Sequence, residues 1–174
     1  IIAAAGETSN TLISKGLRNI IMSDGPAGIS IIDSVCYKAK TESEVNYETI
    51  SVPTKCPESF NWGLFGQYIS NNVCSKDGIV VYRPCTSWPV EVVLAQTWNN
   101  EILKSVGSGF GSEMLKYGIS VILAPAMNIH KNPLCGRTFE YFSEDPFLTG
   151  KMAASFVEGV QGCGNAAACL KHLC

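Results

Sequence analysis

The chain has 174 residues, 46% hydrophobic and 16% charged, a balance that excludes a disordered polymer and supplies apolar material for one core. Its 13 basic and 15 acidic residues give a net charge of -2. With no dense Lys/Arg run, nothing draws it toward nucleic acid or an anionic membrane, and a small neutral partner fits better.

In chain order, the apolar run Leu17 to Met22 stops at Ser23-Asp24-Gly25-Pro26, a buried strand ended by turn residues, with Asp24 at its C-terminal end. A long stretch from about Asp33 to Ser87 carries scattered charges and Pro53, Pro57 and Pro84; loops of that size tend to be functional or specific to a subgroup. From Asn99, a suitable N-cap, Leu103, Val106, Phe110, Met114 and Tyr117 recur at steps of three and four, predicting a helix that Gly118 closes. Trp98 and Leu103 have the spacing of a hydrophobic staple fixing how the chain enters that helix. Gly107, Gly109 and Gly111 have the look of a phosphate loop, but they lie inside the helical pattern, and close helix packing explains them better.

Ile119 to Ala124 is short, β-branched and apolar, as in a strand buried on both faces. After a polar loop, Asp145-Pro146 supplies a cap and a first-turn proline for a helix through Leu148, Met152, Phe156 and Val160, ended by Gly162 and Gly164. A third strand-like run, Ala166 to Leu170, leads to Lys171-His172. Strands alternating with helices predict an α/β fold with parallel strands and right-handed crossovers, either an open sheet or a (β/α) barrel. The barrel is favoured because Asp24, the loop Asn128 to Glu144, and Lys171-His172 all follow strand C-terminal ends, where one rim collects them.

The chain begins Ile1-Ile2 without Met and stops inside the apolar run Ala166 to Cys174, as expected of part of a longer protein. No apolar stretch approaches about 18 residues, so no membrane span is expected. Eight cysteines lie in a chain too large and apolar to need staples; none forms a C-x-x-C pair, and His130 and His172 are the only histidines. Reduced thiols, no metal and no cofactor are therefore expected. Unpaired thiols and the lack of a visible signal segment favour the cytoplasm.

The chemistry concentrates in Asn128-Ile129-His130-Lys131-Asn132-Pro133-Leu134-Cys135-Gly136-Arg137-Thr138-Phe139-Glu140-Tyr141-Phe142-Ser143-Glu144-Asp145-Pro146. An arginine fork there can bind vicinal hydroxyls or hold carboxylates. Taken singly, Asp24 reads as a turn residue, Arg137 as an ion-pair partner, Lys171 as a surface charge and His172 as a core histidine. Asp145 reads as a helix cap, Glu140 and Glu144 as braces for Arg137, and His130 as a loop anchor. Trp62 and Trp88 are candidates to stack on the face of a ligand, Trp88 the better placed.

This long segment resembles the signature loop of glycoside hydrolase family 3. Its flanks agree, with Asp24-Gly25-Pro26, Thr86-Ser87-Trp88-Pro89, Leu94-Ala95-Gln96-Thr97-Trp98-Asn99, Leu123-Ala124-Pro125, Gly159-Val160-Gln161 and Lys171-His172 in order. The resemblance implies an incomplete N-terminal barrel domain over residues 1-174, about the first three strand-helix units of a TIM-type (β/α)8 barrel, with a variable insertion at about 33-85. It further implies that Asp24, Arg137, Lys171 and His172 hold the glycone sugar. The activity implied is β-glucosidase-like, retaining, on terminal β-D-glucosyl residues. β-N-acetylhexosaminidase, β-xylosidase or a non-catalytic sugar-binding remnant are the alternatives. The nucleophile and the acid/base would lie beyond Cys174, the latter in a second domain that completes the site, so no catalytic residue is expected here. Neighbouring strand residues face opposite sides, so Lys171 and His172 both reach a sugar only if the strand kinks, and an irregular, strained backbone is expected there. Three strands of eight leave apolar edges unpaired, and the isolated polypeptide is expected to misfold or aggregate.

Overall fold

In a computed structural model, residues 6–7, 15–16, 20–30, 34–38, 78–82 and 85–172 are described. The chain divides into two compact units, one of Ile1–Ile2 with Ile32–Cys85 and one of Ala3–Ile31 with Thr86–Cys174. In the first, strands β3 (Ser34–Lys38) and β4 (Gly78–Tyr82) pair antiparallel, Ser34 opposite Tyr82 and Lys38 opposite Gly78. Trp62 and most of the stretch 33–85 lie outside the described residues.

The second unit is a sheet backed by helices. Strand β1 (Gly6–Glu7) pairs antiparallel with β2 (Ile21–Asp24), and β2, β5 (Val121–Leu123) and β6 (Ala167–Ala168) run parallel in that spatial order. The three parallel strands are those the apolar runs predict. β1, which the sequence reading did not contain, is two residues long and carries no apolar run. Ile119, Ile122 and Ala124 are buried, whereas Val121 and Leu123 are only partly covered, so β5 is buried fully on one face rather than on both.

Helix α1 (Glu91–Ala95) has five residues, too few for periodicity to reveal. Helix α2 (Asn100–Tyr117) begins where Asn99 accepts the backbone N–H groups of Glu101 and Ile102, and ends at Gly118, whose φ of 69° is the left-handed C-terminal cap. Helix α3 (Pro146–Gly162) begins with the Asp145 side chain accepting from the Phe147 N–H at 2.8 Å. The apolar stripes of α2 and α3 face each other. Phe110 meets Phe156 edge-on with centroids 5.1 Å apart, and Leu103 and Met152 share a buried cluster with Leu94, Ala95, Phe142 and Ala153.

Glycines set the distance between the two helices. A Cβ on Gly107 would sit 2.2 Å from the Phe156 carbonyl oxygen, and one on Gly159 2.1 Å from that of Lys104. The glycines of α2 thus serve close packing, as the pattern implies. Trp98 does not act as a staple: it is 74% exposed, while Leu103 is fully buried. Its φ of 51° closes the turn after α1, where its N–H reaches the Ala95 carbonyl, and this backbone turn directs the ring outward. Among the described residues, no helix is long and apolar enough to cross a membrane.

Candidate sugar-binding site

The C-terminal ends of β2 and β6 deliver the first pair of groups. Beyond Asp24 the chain folds back, Ser30 N–H donating to the Asp24 carbonyl at 2.9 Å and the buried Ser23 hydroxyl to the Ser30 carbonyl at 2.8 Å. Gly25 permits this turn, with φ 131° and no room for a Cβ, which would fall 1.6 Å from the Gly28 oxygen. Asp24 Oδ1 accepts from Gly25 N–H at 3.0 Å and from Lys171 Nζ at 2.9 Å. The Asp24 side chain remains 59% exposed, whereas that of Lys171 is only 14% exposed.

Past β6, Lys171 pairs with Ala126 in a parallel bridge, its N–H donating to the Pro125 carbonyl and its carbonyl accepting from Met127 N–H. The peptide bonds Ala124–Pro125 and Lys171–His172 are cis. The side chains of Lys171 and His172 reach the same cluster. Asn128 fixes the histidine, its Oδ1 accepting from His172 N–H at 2.8 Å and lying 3.1 Å from Nδ1, while its Nδ2 faces the His172 carbonyl.

The loop after β5 brings the remaining groups. Asn132 folds its tip, accepting Leu134 N–H on the side chain and Cys135 N–H on the carbonyl, and a 3-10 turn at Thr138–Glu140 follows. Across that turn Arg137 Nε pairs with Glu140 Oε1, while Glu140 Oε2 lies 3.9 Å from Lys171 Nζ. Glu140 is 4% exposed. It is a buried anion beneath two cations, and Arg137, half exposed, points its outer nitrogens at solvent and His172.

These contacts determine charge states. Burial opposes ionisation of Asp24, but the hydrogen bond and charge of Lys171, with Gly25 N–H and Arg137, outweigh it and hold the carboxyl below its ordinary range. The Glu140 hydrogen bond keeps Arg137 still more firmly protonated. Burial, then the charges of Arg137 and Lys171, lower the pKa of His172. Arg137 Nη2 can only donate, so His172 Nε2, 2.9 Å away, must accept, and the imidazole proton sits on Nδ1 facing Asn128 Oδ1.

The structure therefore brings Asp24, Arg137, Lys171 and His172 together. Glu140 braces Arg137, Asp145 caps α3, and His130 anchors its loop through the Tyr141 and Ser143 carbonyls. Glu144 is different from the brace the sequence suggests. It is exposed and lines a separate hollow of about 530 Å³ with Val92, His130, Lys131, Pro133, Thr138 and Phe139. Among the described residues no ion pair joins Glu144 to Arg137, which Glu140 holds instead. Trp88 also departs from expectation: its ring lies on Gly109 and stacks on Phe110 at 5.4 Å, so packing against α2 occupies it.

Sequence reasoning missed Asn128, Glu91 and Tyr141. Asn128 is the first residue of the polar loop that follows the Ile119 to Ala124 run, a usable signal. Tyr141, whose ring meets His172 edge-on at 6.1 Å, is hidden among neighbouring aromatics. Glu91 heads the apolar run Val92-Val93-Leu94-Ala95 and reads as an exposed first-turn acid, yet it is 3% exposed.

Chemically, the site offers an acceptor in Asp24, fixed donors in Arg137 and Lys171, and an imidazole able to do either, a set matched to adjacent sugar hydroxyls. Asp24, ion-paired and readily ionised, is a poor proton donor. The C-terminal ends of parallel strands are where barrel enzymes carry their sites, and the class this chain is similar to is the glycoside hydrolases. The chain belongs to family 3 of that class, the description "Glycosyl hydrolase family 3 N terminal domain" matching residues 71–174. It is 47% identical over 89 residues to the thermostable β-glucosidase B of Acetivibrio thermocellus, covering 51% of this chain and 12% of that protein. An exo-α-(1->6)-L-arabinopyranosidase of Bifidobacterium longum is 45% identical over 89 residues, 51% of this chain and 12% of that one. The structure is similar to β-glucosidase 3B from Thermotoga neapolitana in complex with glucose, with a TM-score of 0.66 and 41% identity over 97% of this chain and 18% of that chain. The chain thus spans less than a fifth of these relatives.

Proposed function

We propose that this chain is the sugar-holding wall of an exo-acting β-glucosidase, a partial (β/α)8 barrel that binds the terminal non-reducing β-D-glucosyl residue. Asp24 accepts hydroxyl protons of the glycone, Arg137 and Lys171 donate to its oxygens, and His172 exchanges its Arg137 bond for a sugar hydroxyl. The observation that carries this reading is the chain of contacts Asp24–Lys171–Glu140–Arg137–His172, which gathers four polar side chains around one buried carboxylate. Hydrolysis would retain configuration through a covalent glycosyl-enzyme, with nucleophile and acid/base about 5 Å apart, both supplied from beyond Cys174 and the latter by a second domain. The stretch 33–85 is then an insertion in this barrel domain.

The test is hydrolysis of aryl β-glucoside, β-xyloside, N-acetyl-β-glucosaminide and α-L-arabinopyranoside by the complete protein, with the anomer released followed by NMR. Highest kcat/KM on the glucoside with the β-anomer formed first supports the reading. The second reading, a pentopyranosidase, is favoured by the arabinopyranosidase relative and would show as preference for a pentoside. No turnover alongside calorimetric glucose binding would mark a sugar-binding remnant.

A further inference from the structure

We propose that Glu91 is a positioning residue for Lys171, holding through Ala126 the backbone bridge that aims the lysine at the sugar. The inference rests on the sugar-binding reading above and adds a residue that touches no substrate. Glu91 is the first residue of α1, and its carboxyl is turned inward rather than to solvent. Its Oε1 accepts the Ala126 N–H at 3.4 Å. Ala126 is fully buried and is the residue that pairs with Lys171. The neighbours of Ala126 complete the clamp, Pro125 accepting the Lys171 N–H and Met127 donating to its carbonyl. A shift of Ala126 therefore moves Lys171 relative to Asp24.

The chemistry of the contact decides what kind of group is needed. Glu91 Oε2 is buried with no hydrogen-bond partner among the described residues. An ionised carboxylate with one bare oxygen in such a place is costly, so the neutral acid is the stable form. Burial first, and then the Glu140 charge, push its pKa up to about 8, although its own N–H, the Ala126 N–H and Lys171 pull the other way. Glu140 acts on it from the 3-10 turn and Lys171 from the end of β6. Kept neutral, Glu91 leaves Glu140 as the single buried anion between Arg137 and Lys171. When it ionises, a second anion competes with Asp24 for the ammonium. A glutamine keeps the acceptor for Ala126 and cannot ionise.

The experiment measures kcat and KM for an aryl β-glucoside from about pH 5 to about pH 9 in the complete enzyme, its E91Q and E91A variants, and K171M as a reference. In wild type, KM should rise above about pH 8. E91Q should keep the neutral-pH KM within about twofold and lose that rise, while E91A should raise KM roughly tenfold with a smaller change in kcat. An unchanged KM in folded E91A, or an alkaline rise with the same midpoint in E91Q, overturns the proposal. If E91A fails to fold, the E91Q profile decides alone. If K171M leaves KM unchanged, the sugar-binding reading itself fails. If K171M raises KM while E91A does not, only the role of Glu91 falls.

Discussion

Arg137 Nη2 donates to His172 Nε2 across 2.9 Å, joining groups 35 residues apart in the chain. The bond needs both a protonated guanidinium and a neutral imidazole, so the two residues report on each other. The guanidinium is held from behind by Glu140, the imidazole by Asn128. Two partly exposed groups thus have fixed orientations, which would lower the ordering cost of binding a ligand there.

R137A should raise KM for a β-glucoside at least about a hundredfold, and R137K should recover only a small part of it. A lysine supplies a point charge without the fork that meets Glu140 and His172 together. Steady-state kinetics check this, and near-complete rescue by lysine would show that charge alone suffices.

Acid pH should weaken glucoside binding through His172. Its folded pKa is lowered, so the unfolded chain takes up the proton first and stability from this group is lost as pH falls below about 6.5. Protonation also removes the lone pair that accepts from Arg137. KM should therefore rise on the acid side in wild type and rise less in H172Q, measured between about pH 5 and about pH 7.

The helix pair gives a packing prediction with an internal control. G107A and G159A each force a Cβ within 2.2 Å of a backbone oxygen that cannot swing aside, and each should cost about 3 kcal/mol or more. G150A, in the interior of α3 with nothing within 4 Å of its Cβ, should gain about 0.5–1 kcal/mol. Denaturant titration of the three variants separates the cases.

Glu91 predicts an unusual pH dependence of stability. Its carboxyl goes from the model-compound value of 4.5 to about 8 on folding, so the folded state holds the proton longer than the unfolded state. Stability from this group is whole below about pH 4.5 and falls steadily to about pH 8, by on the order of 5 kcal/mol. E91Q should lack this slope, which thermal midpoints across the range will show.

Local signals in the sequence determined a good deal. The two long helices, their Asn99 and Asp145 caps, the Gly118 stop and the apolar runs of the three parallel strands rest on spacings of a few residues, and contacts that close in sequence are readable there. The glycine spacing in α2 carried its own meaning for the same reason. The family resemblance, carried by the signature loop and its flanking motifs, grouped Asp24, Arg137, Lys171 and His172, and the structure brings them together.

Tertiary structure alone decided what each acid does. Glu140 pairs with Arg137 and Glu144 does not, although both are acids of one loop. Glu91 is buried only because α1 packs where β5 hands over to Ala126 and Lys171. The Asp24–Lys171 pair spans 147 residues and exists because β2 and β6 flank β5 in a parallel register. Such pairings are set by how strands align in a sheet, which no local spacing encodes. The same limit hid the outward turn of Trp98 and the packing of Trp88 on Phe110: a side chain's partner across the core is fixed by the fold, not by its neighbours in sequence.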